Sequence, residues 1–241
     1  MTPPLFLLAE LPAGDHAVLD GPEGRHAATV KRLRPGESVL VGDGRGVVAD
    51  AVVSGVGRDV VELELTERVA TAPPSPRVVV AQALVKGDRG DLAVELATEA
   101  GVDALVPWTA ARCVARWAGD KGLARWQRTV REAAKQARRA WVPPVAAPVT
   151  TRELAERAAA ADCALVLHEA ATVGLADIAL PAAGEILLAV GPEGGVTDDE
   201  LDVLAAAGAQ PVRLGPEVLR ASTAAAVALG ALGALTDRWR P

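Results

Sequence analysis

Two glycine-marked turns hold the residues best suited to chemistry in this chain of 241 residues. Gly191-Pro192-Glu193-Gly194-Gly195 follows the apolar run Glu185 to Val190 and precedes Thr197-x-x-Glu200, a capping box that opens a helix. Glycines just after a strand let backbone amides approach a ligand closely, and open α/β sheets collect ligands at the carboxyl ends of their strands. The turn is neither a Walker loop nor G-x-G-x-x-G, so an ordinary strand-to-helix turn and a ligand cradle are both open. The second turn is Leu214-Gly215-Pro216-Glu217-Val218-Leu219-Arg220, followed by Ser222 and an Ala-rich helix. Arg220, the one charge at the mouth of that apolar helix, is either a surface cation or the partner of an anionic or polarised ligand.

Positive charge is concentrated although the whole chain is acidic, with a formal net charge of −6. From Arg112 to Trp141 nine basic residues face two acidic ones, a local balance of +7. Trp126, Val130, Ala133, Ala137 and Trp141 recur at helical spacing and are expected to face a core, with Arg128, Arg131, Lys135 and Arg138 on another face. That face is either solvated or a phosphate-binding stripe. Arg25, Lys31, Arg32 and Arg34 form a second basic cluster near the N-terminus. Two clusters suit an extended polyanion better than one small phosphate.

Other chemistries find little support. Cys113 and Cys163 stand far apart, and His16, His26 and His168 are scattered, so no metal site or disulfide framework is expected and a reducing cytoplasm fits. The N-terminus lacks a basic n-region. The longest apolar run, Ala224 to Leu235, is shorter than the about 20 residues that span a bilayer. The chain is therefore read as a cytoplasmic protein without a membrane anchor.

The elements that must position these turns are legible from periodicity. Thr71 to Pro76 holds three prolines and reads as a linker. Before it, Val39 to Val41, Val47 to Val53 and the alternating Val61 to Leu65 read as strands punctuated by Gly42-Asp43-Gly44 and Gly55-Val56-Gly57, a small β-barrel module over 1–71. After it the spacing predicts strands Arg77–Leu84, Asp103–Trp108, Cys163–Leu167, Glu185–Val190 and Pro211–Leu214. Helices are predicted at Asp88–Ala100, at Lys121–Trp141, after each of the Thr150-x-x-Glu153 and Thr197-x-x-Glu200 boxes, and from Ser222. Strands alternating with helices mean an α/β domain with a mostly parallel sheet over 77–241.

Taken together these residues resemble a known family. GPEGG followed by LGPEVLR-x-x-T-A is similar to the last two motifs of the SPOUT methyltransferases, specifically the RsmE-type uracil-N3 methyltransferases of small-subunit ribosomal RNA. Lys86-Gly87-Asp88-Arg89, Thr98-Glu99-Ala100-Gly101-Val102, Pro107 and Arg112-Cys113 resemble an earlier family block. Gln136, Arg139, Val142 and Pro143 resemble another, and His26, Arg32, Pro35-Gly36 and Asp43-Gly44 follow the pattern of its N-terminal module. Ser222 stands where the family commonly has an acid.

The resemblance implies a PUA-like β-barrel that grips RNA and a SPOUT α/β domain with a trefoil knot, which binds S-adenosylmethionine and forms a homodimer. It places Leu167, His168, Val190, Gly191, Pro192, Glu193, Gly194, Leu214, Gly215, Leu219 and Arg220 around the cofactor, with Arg220 catalytic. RNA contacts are expected from Arg25, His26, Lys31, Arg32, Lys86, Arg89, Arg112, Arg128, Lys135, Gln136 and Arg139. The substrate would be small-subunit RNA or the 30S particle. Alternatives are a SPOUT enzyme acting at another RNA position, or an RNA-binding assembly factor with weak turnover.

Overall fold

The computed structural model describes residues 3–117 and 119–240. The chain divides into two compact units, one of Met1–Pro73 with Ala134–Val142 and one of Pro74–Ala133 with Pro143–Pro241. Residues 134–142, expected with the second domain, thus group with the first unit.

In the first unit, β1 (Leu5–Leu7), β2 (His16–Leu19), β3 (Ser38–Gly42), β4 (Val47–Gly57) and β5 (Val60–Ala70) form one sheet in the order β1-β3-β4-β5-β2. Alternation decides which face is buried. Val61, Leu63 and Leu65 point inward on β5 while Glu62 and Glu64 stay exposed. They pack with Phe6, Leu19, Val39, Val41, Ala49 and Val53 in one apolar cluster. Helix α1 (Gly21–Arg25) runs on into a π-helical turn, His26–Val30. Gly24 is required in α1, since a Cβ there would collide with the carbonyl oxygens of Asp59 and Leu19.

The second unit is built on five parallel strands in the order β10-β8-β9-β6-β7, comprising β6 (Arg77–Ala83), β7 (Ala104–Trp108), β8 (Cys163–Leu167), β9 (Glu185–Val190) and β10 (Gln210–Val212). Ile186 to Val190 and Val78 to Ala83 are buried without interruption, as strands covered on both faces must be. The unit also carries α2 (Arg89–Glu99), α4 (Thr151–Ala160), α5 (Asp198–Ala206) and α6 (Ala221–Leu235). Thr150 and Thr197 close capping boxes with Glu153 and Glu200, as their spacing requires. A buried ion pair ties the end of the chain to the sheet: Arg238 Nη1 lies 2.6 Å from Asp103 Oδ2 and from the Pro76 carbonyl oxygen, and its Nη2 donates to Gly101 O.

Helix α3 (Lys121–Gln136) is shorter than its apolar spacing predicts. Trp126, Val130 and Ala133 are buried as expected. The helix nevertheless ends at Gln136, and Arg138 adopts the left-handed region at φ 53°. Ala137 is exposed. Trp141 lies beyond the helix and donates its indole N–H to Thr71 O.

Candidate active site

The carboxyl ends of β8, β9 and β10 surround one cavity of about 580 Å3, within the about 300–1,000 Å3 usual for small-molecule sites. Val190 and Val212 lie buried in its lining. His168 follows β8 and is pinned at both backbone atoms, donating to Val212 O at 3.0 Å and accepting from Ala171 N at 3.2 Å. The glycine turn after β9 forms one wall. Its space is closed at three points: a Cβ on Gly191 would lie 2.7 Å from Val196 Cγ2, one on Gly194 would lie 3.1 Å from Arg112 Cβ, and Gly195 has φ 75°. The second turn, 214–220, forms another wall. Arg220 ends it in extended conformation, with its carbonyl accepting from the Thr223 and Ala224 amides in the first turn of α6.

Two arginines from other elements complete the lining. Arg89 is the first residue of α2. Arg112 donates from Nη1 to Gly194 O at 2.9 Å and so braces the glycine turn. The carboxylate that sets Arg112 in place is Glu200. Its Oε2 closes the α5 capping box with Thr197, while its Oε1 accepts from Ala111 N at 2.8 Å and from Thr151 Oγ1 at 2.7 Å. One buried side chain thereby joins the 109–112 loop to the start of α4 and the start of α5. Burial alone would raise the Glu200 pKa, but donors from Ala111, Thr151 and Thr197 outweigh it and hold the carboxyl below its ordinary value. Burial pushes the Cys113 thiol above its ordinary value.

The eleven residues that the resemblance assigned to the cofactor all line this one cavity, although they come from segments up to 53 positions apart in the chain, Leu167 to Arg220. The expected RNA residues divide. Arg89 and Arg112 line the same cavity, and Lys86 and Arg128 line a second one in the same unit. Arg25, Lys31 and Arg32 are exposed on the first unit, with Arg32 at φ 55°. His26 is half-buried, edge-on to Phe6 at 6.1 Å. Gln136 is exposed, and Arg139 donates its amide to Ala134 O. Lys135 departs most from expectation. It is 8% exposed, and its Nζ lies 3.1 Å from Glu23 Oε1 inside the first unit, so it neutralises a half-buried carboxylate instead of facing solvent.

Sequence reasoning missed Glu200 as a positioning group. Its capping-box spacing predicts only the Oε2 contacts, and nothing in the sequence brings Ala111 and Thr151 to Oε1. Trp117 was missed because its neighbours form no periodic pattern. Among the described residues, no group of three or more His, Cys, Asp or Glu side chains could hold a metal ion. No described helix is long and apolar enough to cross a membrane.

With this geometry in hand, comparison with known proteins is specific. An RNA methyltransferase domain model matches residues 73–233 and an RNA methyltransferase PUA domain model matches residues 19–66. The ribosomal RNA small subunit methyltransferase E of Mycobacterium bovis is 54% identical, covering 98% of this chain and 93% of its own. The chain belongs to the ribosomal RNA small subunit methyltransferase E family. The Synechocystis member of that family is 38% identical over 86% of this chain and 69% of its own. The crystal structure of the Neisseria gonorrhoeae methyltransferase E, bound to S-adenosyl methionine, superposes with a TM-score of 0.88 at 33% identity and covers 98% of each chain.

Proposed function

We propose that this protein transfers a methyl group from S-adenosylmethionine to N3 of a uridine in small-subunit ribosomal RNA. The observation that carries the reading is the cavity at the ends of β8, β9 and β10, walled by both glycine-marked turns and bordered by Arg220, Arg89 and Arg112.

The lining fits the cofactor by its chemistry. Leu167, Val190, Leu214 and Leu219 offer apolar surface for an adenine ring. Among the described residues, the amides of Leu214, Gly215, Leu219 and Arg220 donate to no backbone carbonyl, so they are available to a ligand's acceptors. At Gly191 and Gly194 a side chain would press on Val196 and Arg112, so these glycines let the turn pack tightly beside the cavity. Glu169, Glu193, Glu217 and Asp198 lie in the lining and suit a cationic group. When bound, S-adenosylmethionine supplies an electrophilic methyl group on a sulfonium centre.

The work left to the protein is electrostatic and geometric. The uracil imide nitrogen becomes nucleophilic as its proton departs to solvent, and negative charge then spreads onto O2 and O4; the methyl would leave its former bonding pair on sulfur as a neutral thioether. A cation held at those oxygens lowers the barrier, because it favours the charge developing in the transition state over the neutral base. Arg220 borders the cavity at the first turn of α6 and takes this role. Arg112 holds the glycine turn by its Gly194 contact, which keeps cofactor and base in line. The base must leave its stack to enter, at a cost of a few kcal/mol that cationic contacts to the RNA backbone offset. Exposed Arg25, Lys31 and Arg32 on the first unit supply such contacts, in keeping with the PUA domain match. The family resemblance extends the proposal to a barrel closure of the first unit, a knotted second unit, pairing of two chains through it, and action in the cytoplasm during ribosome assembly.

The test is transfer of radiolabelled methyl to deproteinised small-subunit RNA and to intact small subunits, followed by mass spectrometry of the digested nucleosides. N3-methyluridine is the expected product. A methyl group on ribose or on another base refutes the assignment, and no incorporation into either substrate refutes the enzyme reading.

A further inference from the structure

Two stretches of the second unit each serve two cavities. Residues 86–89 place Arg89 in the lining of the cavity at the strand ends and Lys86 in that of a second cavity of about 1000 Å3. Residues 112–117 do the same, with Arg112 on the first cavity and Arg116 and Trp117 on the second. The opposite side of the second cavity is α3, which adds Lys121, Arg125, Arg128 and Arg131. Among the described residues, no carboxylate lines it. Asp91 meets Arg125 at 3.0 Å, and Arg116 donates to the Cys113 and Ala115 carbonyls, so part of this charge is also held in place. In a protein with a net charge of −6, such a lining signals a polyanion.

The aromatic group narrows that class. Trp117 is half-buried and stands edge-to-face with the buried Trp126, at a centroid distance of 4.9 Å and an interplanar angle of 88°. Its Cγ, Cδ2 and Cε2 atoms lie over Gly122, where any Cβ would collide with the indole. The ring is therefore fixed in orientation while lining the cavity. A free phosphate or a duplex backbone makes no use of an indole, because duplex bases are already stacked on each other. A single strand does, since every unpaired base has a face to stack while its phosphates meet cations.

We propose that this cavity is a subsite for the single-stranded RNA flanking the methylated nucleotide. One unpaired base stacks on Trp117, and the neighbouring phosphates meet Lys86, Lys121 and Arg128. Because the walls at 86–89 and 112–117 are shared, a strand seated here leads directly to the cavity that receives the target base. The proposal rests on the RNA methyltransferase reading above.

Methyl transfer by the full chain, with kcat and KM for RNA measured separately, tests it. Trp117→Ala is expected to raise KM for deproteinised RNA about ten-fold or more, the usual worth of one base–aromatic stack. Cofactor affinity should stay within two-fold, and Trp117→Phe should recover most of the loss. Arg128→Gln is expected to flatten the log–log salt dependence of RNA binding by about 0.7, one phosphate contact. Should Trp117→Ala fail to fold, seen by circular dichroism, Trp117→Phe with Lys86→Gln and Arg128→Gln decides: KM and salt slope all unchanged overturn the subsite. A KM that rises with intact small subunits but not with bare RNA also overturns it, by assigning the surface to a ribosomal protein. A wild-type chain that methylates no RNA sinks the functional reading and this proposal together. One that methylates RNA with a KM indifferent to Trp117 sinks the subsite alone.

Discussion

Replacing Glu200 by Gln tests whether the glycine turn is held from a distance. The wild-type carboxylate is 6% exposed and accepts from the Thr197 amide and hydroxyl on one oxygen and from Ala111 N and Thr151 Oγ1 on the other. Glutamine keeps one acceptor and turns the other into an NH2 group that faces donors. If the amide oxygen stays on Ala111 and Thr151, the NH2 group faces the Thr197 amide, which loses its acceptor at about 1–3 kcal/mol, while Thr197 Oγ1 still caps the backbone N–H of residue 200. The loss is read as a lower urea midpoint at unchanged m-value. In the other rotamer the NH2 group faces Ala111 and Thr151 instead, and loosening Ala111 then releases Arg112 from Gly194, so cofactor affinity measured by calorimetry should fall several-fold. The pH dependence follows from the lowered folded pKa. The stabilisation from Glu200 is complete above the unfolded value of about 4.3 and fades as pH falls through the folded one. Glu200→Gln should therefore lose least at acid pH and most at neutral pH. A variant within about 0.5 kcal/mol of wild type at pH 7, the ordinary range for a surface change, refutes the reasoning.

Arg220→Ala should cut kcat by about 10²–10³-fold, the usual cost of losing one transition-state charge contact, while calorimetry shows cofactor affinity little changed; wild-type turnover would remove Arg220 from the chemistry. Lys135→Ala should destabilise the protein by about 3–5 kcal/mol in urea, because it removes the cation of a buried ion pair, and should leave the salt slope of RNA binding unchanged. A flatter slope with full stability would return Lys135 to the RNA surface. Arg238→Ala, which removes the cation from buried Asp103 while the Val78 amide still donates to it, should cost about as much in stability while leaving the cofactor cavity's own residues untouched. A urea midpoint equal to wild type would show that the pair adds nothing.

How much was visible beforehand depended on the range of the forces involved. Strands such as Val61 to Leu65, and the capping boxes at Thr150 and Thr197, were legible because a period of two and a side chain reaching three residues onward are local properties. The parallel strand β9 was legible as the unbroken apolar run Ile186 to Val190, and β6 as the apolar run Val78 to Ala81. The end of α3 was not, because Trp141 keeps helical spacing with Trp126 while its indole bonds Thr71, a partner 70 positions away. Lys135 was misassigned for the same reason, since Glu23 lies 112 positions from it.

By itself the sequence determined the glycine positions in both turns, the strands that feed them and the small-residue helix that follows Arg220. These are set by backbone conformation and neighbouring side chains. Only the tertiary structure decided that both turns open on one cavity, that Arg112 braces Gly194, that Glu200 holds Arg112's neighbour, and that Trp117 stands among the cations of α3. All but the last of these join groups tens of residues apart in the chain. Such contacts form only when the parallel sheet stacks its strand ends together, and no local pattern of residue types encodes which ends will meet.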